Sequence, residues 1–211
     1  MSQAVERRAG RRRGPSKGDL KEAAILDVAW GLLMEKSLAE ISVSDLTQGA
    51  GISRSSFYFY FDSKEAVLRA LAGRAGAEIR SSIGSFDTDA EGRMGDPREA
   101  IAGYLRRWRE AGPLLRAIRA QVETDPDLRE FWSKIRDDIL DDIAESIERA
   151  QRAGTAAPAP PQARDLAEVL FAMVLQSAYQ HSLDAADEIA EQKLVDTLAV
   201  VTQRVLGLTG Q

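Results

Sequence analysis

The chain has no cysteine and a single histidine. Without thiols there is no disulfide framework, no thiolate metal site and no cysteine redox sensor, and the composition fits a reducing cytoplasm. No apolar run approaches the roughly 18 residues that span a bilayer. The arginine-rich start also lacks the unbroken apolar segment of a secretory signal, because Asp19, Glu22 and Asp27 interrupt the apolar residues downstream of it. The sequence therefore predicts a cytoplasmic protein with no membrane partner. Catalytic signatures are missing as well: there is no Gly-rich phosphate loop after a strand, no Gly-x-Ser-x-Gly elbow, and no histidine besides His181 to serve a nucleophile. His181 reads as a helix-end cap or surface residue before it reads as a polar anchor. No metal ligand set and no cofactor are expected.

What is present is helical pattern and unevenly placed charge. The net charge is −5, yet residues 1–69 hold eleven Lys/Arg against nine Asp/Glu, and the remainder holds seventeen against twenty-four. Positive charge gathered at one end suits an N-terminal nucleic-acid reader on an acidic body. Residues 1–18 have almost nothing apolar to bury and read as a disordered basic tail, either solvated or an arm on DNA phosphates. From Asp19 to Lys36, Ala24, Ile25, Val28, Ala29, Leu32 and Leu33 form an amphipathic stripe, with Trp30 off it, either packed on the second domain or simply exposed.

The informative stretch is Ile41–Leu68, ISVSDLTQGAGISRSSFYFYFDSKEAVL. Ser42 precedes an apolar pair with Asp45 three residues on, a capping-box pattern. Gly51 follows the end of that helix, where only glycine enters the left-handed backbone without steric cost. Ser53 caps a second short helix whose outer turn carries Arg54, Ser55 and Ser56. Phe57 and Phe61, four apart, share a buried face and leave Tyr58, Phe59 and Tyr60 outside. Asp62 or Ser63 caps a third helix, Lys64 to about Ile83, whose start offers backbone donors and a lysine to phosphate oxygens.

These residues resemble the TetR-type transcriptional repressors, and GISRSSFYFYFDSKEAVL looks most like the ethionamide-resistance repressor subgroup. The resemblance implies an all-α protein: an N-terminal three-helix helix-turn-helix domain, residues 19–66, and a larger C-terminal domain, residues 67–211, for effector binding and dimerisation. It implies a homodimeric repressor on a near-palindromic stretch of double-stranded operator DNA. Carried over, Ser42, Tyr58, Tyr60 and Lys64 are phosphate-contact candidates. Arg54, Ser55, Ser56 and Phe59 are base-edge candidates, and the capping Ser53 stands with them. Phe59 departs from the commoner tyrosine, so a hydrogen bond is exchanged for contact with a thymine methyl.

Downstream, Asp96-Pro97 and Asp125-Pro126 are helix starts, Gly112-Pro113 a break or kink, and residues 153–162 a Pro/Ala-rich linker. The acidic pairs Asp137/Asp138 and Asp141/Asp142 read as a solvated helix face rather than a metal or acid–base site. The last two helices each carry two apolar faces, one for the core and one for an identical subunit. Tyr104, Trp108, Trp132, Phe171, Met173 and Tyr179, with Gln176 as a polar anchor, are candidate walls for a small hydrophobic effector. Plain core packing is the competing reading for each of them. The alternative for the whole chain is an enzyme or ligand-binding scaffold with an appended helix-turn-helix.

Overall fold

Helix starts are written in capping side chains, and the computed structural model, which describes residues 17–184 and 187–208, has them in place. Apart from Lys17 and Gly18, the expected basic tail lies outside the described residues; those two open α1 (Lys17–Glu35). Ser42 accepts from Asp45 N to start α2 (Val43–Gly49), and Ser53 accepts from Ser56 N to start α3 (Arg54–Tyr60). Ser63 does the same for α4 (Lys64–Ile83), accepting from Ala66 N. Asp96 and Asp125, each followed by proline at the first helical position, start α5 (Pro97–Val122) and α6 (Pro126–Ala153). α7 (Ala163–His181) and α8 (Glu188–Leu206) complete the eight α-helices among the described residues.

Pro113 leaves α5 continuous but kinked. Proline cannot donate to the carbonyl four residues back, and its ring crowds that carbonyl. The distortion is taken up at Ala111, whose φ of −121° and ψ of 15° leave the helical range. Of the break or kink expected at Gly112-Pro113, the structure has the kink, and the residues from Leu114 form the second limb of α5.

α1 packs on α2, α4 and α5, and α2 packs on α3. The head they form has a core of Ile25, Leu46, Phe57 and Leu68, all essentially without solvent contact. Trp30 is half-buried against the core. α4 runs from the head into the body, where it contacts α5 and α6; α6 packs on α7, and α5 on α8. The acidic pairs of α6 stay on a solvated face, as expected, and meet arginines of the neighbouring helices there. Arg80 of α4 donates to both oxygens of Asp142, and Arg164 of α7 reaches Asp137 and Asp141. α6 lies between α4 and α7, so its polar edges meet their arginines.

One body surface stays apolar and uncovered in the single chain. Val169 on α7 is 67% exposed, and Val201 and Val205 on α8 point outward while Val195, Leu198, Ala199, Thr202 and Leu206 point in. No helix among the described residues is long and apolar enough to cross a membrane.

Candidate nucleic-acid interface and ligand cavity

The turn between α2 and α3 sets the angle of everything it presents. Gly51 has φ +63°, Ile52 N donates to Thr47 O at 3.0 Å, and Gly51 N donates to Gln48 O at 3.2 Å. This paired closure of a helix end is a Schellman motif, and its left-handed residue is the expected glycine. A Cβ at Gly51 would meet nothing within 4 Å. The constraint there is backbone torsion alone.

α3 is only seven residues long, and Phe57 anchors it from below at 0% exposure. Its outer side carries Arg54, Ser55, Tyr58 and Phe59, all exposed; Ser56 and Tyr60 are half-buried. Phe59 is 82% exposed, an unusual position for a phenylalanine in a folded chain. Arg54 Nη2 lies 3.4 Å from the Tyr58 hydroxyl, and its guanidinium stands 5.8 Å from that ring centre, which holds the basic group over the helix face. Tyr58 meets Phe57 edge-on at 5.4 Å, and Phe59 meets Tyr60 edge-on at 5.1 Å.

Ser42 is exposed at the start of α2. Its Oγ accepts from Asp45 N at 3.1 Å, and its own N–H donates to Asp45 Oδ2 at 2.9 Å. That backbone donor, joined by the Ser42 hydroxyl and Lys36 Nζ at 3.2 Å, holds the Asp45 carboxyl below its ordinary pKa. Glu40 is lowered in the same way, first by the Ser37 hydroxyl and then by the Ser37 N–H. Lys64 is spent locally: Nζ donates to Leu38 O at 2.7 Å, Ile41 O at 2.9 Å and Ala39 O at 3.3 Å. An ammonium has three protons, so this clamp occupies all of them.

In the body, Tyr104 and Phe171 stand edge to face, 5.9 Å between ring centres, and line an apolar cavity of about 60 Å³ with Ile101, Leu170, Val174 and Phe86. Burial pushes the Tyr104 phenol well above its ordinary pKa, so it stays neutral. The other expected walls are distributed differently. Trp108 pairs with Tyr179 at 5.9 Å and borders a neighbouring pocket of about 170 Å³ with Arg109, Arg116 and Glu191. Tyr179 lies under the Arg119 guanidinium at 4.2 Å, and exposed Gln176 accepts from Arg119 at 3.4 Å. His181 ends α7, its Nε2 3.9 Å from Glu191. Trp132 and Met173 pack against the core outside both pockets.

Sequence reasoning passed over Phe86, Ile143 and Thr202 as cavity walls. Phe86 sits in a segment that reads as polar loop, and Thr202 in a stripe that reads as core. Among the described residues no group of His, Cys, Asp and Glu could hold a metal ion.

Two family models match the chain: the TetR family of bacterial regulatory proteins over residues 25–71, and the C-terminal domain of transcriptional regulator EthR over residues 97–205. The HTH-type transcriptional regulator EthR of Mycolicibacterium smegmatis is 38% identical over 193 residues, covering 90% of this chain and 87% of that protein. Its Mycobacterium tuberculosis counterpart is 34% identical over 194 residues, covering 90% and 88%. Both relatives are transcriptional regulators, not enzymes. Among solved structures, Salmonella enterica GusR superposes with a TM-score of 0.75 at 16% identity, covering 91% of this chain and 98% of that one. The fatty acid degradation regulator FadR of Bacillus halodurans gives 0.68 at 19% identity, covering 91% and 96%.

Proposed function

The chain belongs to the TetR family of bacterial regulatory proteins, with an EthR-type C-terminal domain, and from that premise we propose that it is a homodimeric, cytoplasmic repressor released from its operator by a small hydrophobic effector. The observation that carries the DNA-binding part is the outer face of α3, where Phe59, Tyr58 and Arg54 stand in solvent on a helix anchored by Phe57. A guanidinium held against Tyr58 and a hydrophobic ring left exposed on the same short helix fit a major groove, with the arginine for a guanine edge and the phenylalanine for a thymine methyl. Ser42, Ser53, Ser55, Ser56, Tyr58 and Tyr60 supply hydroxyls around it for base edges and phosphates.

Two copies joined through α7 and α8 put one α3 into each of two successive major grooves. The operator is then a near-palindrome with half-sites one helical turn, or a multiple of it, apart. The effector occupies the cavity at Tyr104 and Phe171 and favours the conformer whose two α3 helices are wrongly spaced. A tenfold loss of operator affinity needs about 1.4 kcal/mol of differential binding. α4 transmits the change, because it begins beside α3 and ends on α6.

Selection of bound duplexes from a random pool tests the reading. Enrichment of a palindromic sequence by the native protein, lost with Phe59→Ala at unchanged melting temperature, is the expected outcome. Equal retention of all duplexes would overturn it.

A further inference from the structure

The head is joined to the body by the chain through α4 and also by contact, since the second limb of α5 faces the end of α1. That contact is not closely packed. A cleft of about 560 Å³ lies between Leu33 and Met34 of α1 and Ala117 and Ala120 of α5, so packing alone does not fix the angle at which the head sits. Arg116 lines this cleft, and it also lines the separate pocket of about 170 Å³ where α7 ends. Its Nη1 donates to Ser182 O at 3.2 Å and to Ser182 Oγ at 3.4 Å. Ser182 is the C-cap of α7, and its hydroxyl gives its own proton to Tyr179 O at 2.7 Å, which leaves lone pairs for Arg116. A helix end carries orphaned carbonyls and a partial negative charge, so a guanidinium there is held by charge as well as by geometry. Gly112 clears the way: a Cβ at that position would stand 3.0 Å from Arg116 Nη1. The tie is made just past Ala111, where α5 changes direction.

α7 and α8 are the pair of helices assigned above to the subunit contact. Resting on that dimer reading, we propose that Arg116 is a positioning residue: it ties the end of α7 to the limb of α5 that faces the head, and so sets the half-site spacing that the dimer accepts. The two heads are related by the two-fold axis, so any freedom of a head relative to its own α7 enters twice into the distance between the α3 helices. Moving a half-site by one base pair shifts it about 3.4 Å along the duplex and turns it by about 35°. A dimer with fixed heads rejects that change, and one with loose heads absorbs it.

The test uses duplexes that carry two copies of the half-site enriched by the native protein, set apart by spacers differing one base pair at a time. Each is titrated with the full-length native chain, Arg116→Met and Arg116→Lys. Methionine keeps the apolar stem and removes the donors, whereas lysine keeps a charged donor. The preference for the best spacing over its one-base-pair neighbours is expected to be about tenfold in the native chain. It should fall to about twofold in Arg116→Met and return toward the native value in Arg116→Lys. Affinity for a single half-site and sedimentation of the free protein are expected to match in all three. A general loss of stability would weaken binding to every duplex alike and leave the preference where it was. A native preference in Arg116→Met overturns the positioning role and leaves the dimer reading standing. A monomeric Arg116→Met overturns it too, because the residue then holds the subunit contact rather than the head. A native chain that binds every spacing equally removes the dimer reading, and the inference with it.

Discussion

Gly76 on α4 lies so close to Ile135 on α6 that a Cβ on the glycine would stand 2.7 Å from Ile135 Cγ2. One turn nearer the head, a Cβ on Gly73 would stand 3.4 Å from Phe131 Cζ, an ordinary contact. The two glycines share a helix and a partner helix, and they differ only in how tightly that partner approaches.

That difference predicts opposite outcomes for one substitution made at the two sites. Glycine costs about 1 kcal/mol relative to alanine inside a helix. Gly73→Ala should recover about 0.5–1 kcal/mol and raise the urea midpoint. Gly76→Ala must displace a branched side chain at Ile135, and overpacking costs about 1–3 kcal/mol, so its midpoint should fall. Equal effects at both sites would show that α6 gives way freely and that the close approach at Gly76 carries no constraint.

Lys64 offers a second separation of roles. Its ammonium closes the carbonyls of Leu38, Ala39 and Ile41, residues 23 to 26 positions earlier. Lys64→Met keeps the stem and removes the donors, and should lower stability by about 1 kcal/mol, since the site is only partly buried. A lysine acting on DNA phosphate alone would leave the melting curve untouched and flatten the plot of log affinity against log salt by about one unit. The clamp predicts the first result, with the salt slope preserved.

What the sequence disclosed was local. The helix starts at Ser42, Ser53, Ser63, Asp96 and Asp125 and the left-handed Gly51 are each legible within four residues, because a cap is a contact between near neighbours. The outward position of Phe59 follows from the spacing of Phe57 and Phe61. Lys64 carries no such signal, since its acceptors lie in another element. The cavity failed for the same reason: aromatic residues on helices of known phase still need interhelical geometry to be assigned to one chamber. Tyr104 and Phe171 meet there, Trp108 turns to a neighbouring pocket, and Thr202 is invisible in an apolar stripe.

Acid should loosen the head through Asp45 and Glu40. Both carboxyls sit below their ordinary pKa in the folded chain, Asp45 chiefly through the Ser42 N–H and Glu40 chiefly through the Ser37 hydroxyl. A lowered folded pKa means stability that is complete above the unfolded value, about 4 for these groups, and lost as pH falls through the folded value. Asp45→Asn removes one titration. The native chain should therefore melt above Asp45→Asn at pH 7, with the gap shrinking as pH falls below about 4. A gap independent of pH would assign the difference to shape rather than charge.

The uncovered face of α7 and α8 predicts the last measurement. Val201 and Val205 are four apart on α8, with Val169 exposed on α7, and burying such valines contributes about 1.5–3 kcal/mol each at a subunit contact. Two-fold symmetry brings each side chain into the contact twice, so one substitution counts double. Val201→Glu with Val205→Glu should leave the helix content of the chain unchanged, because neither residue belongs to the buried set Val195, Leu198, Ala199, Thr202 and Leu206. Sedimentation at micromolar concentration should then find a monomer where the native chain is a dimer, and operator affinity should fall steeply because the second half-site is no longer tethered. A native chain that sediments as a monomer would exclude the paired insertion of α3 into successive grooves.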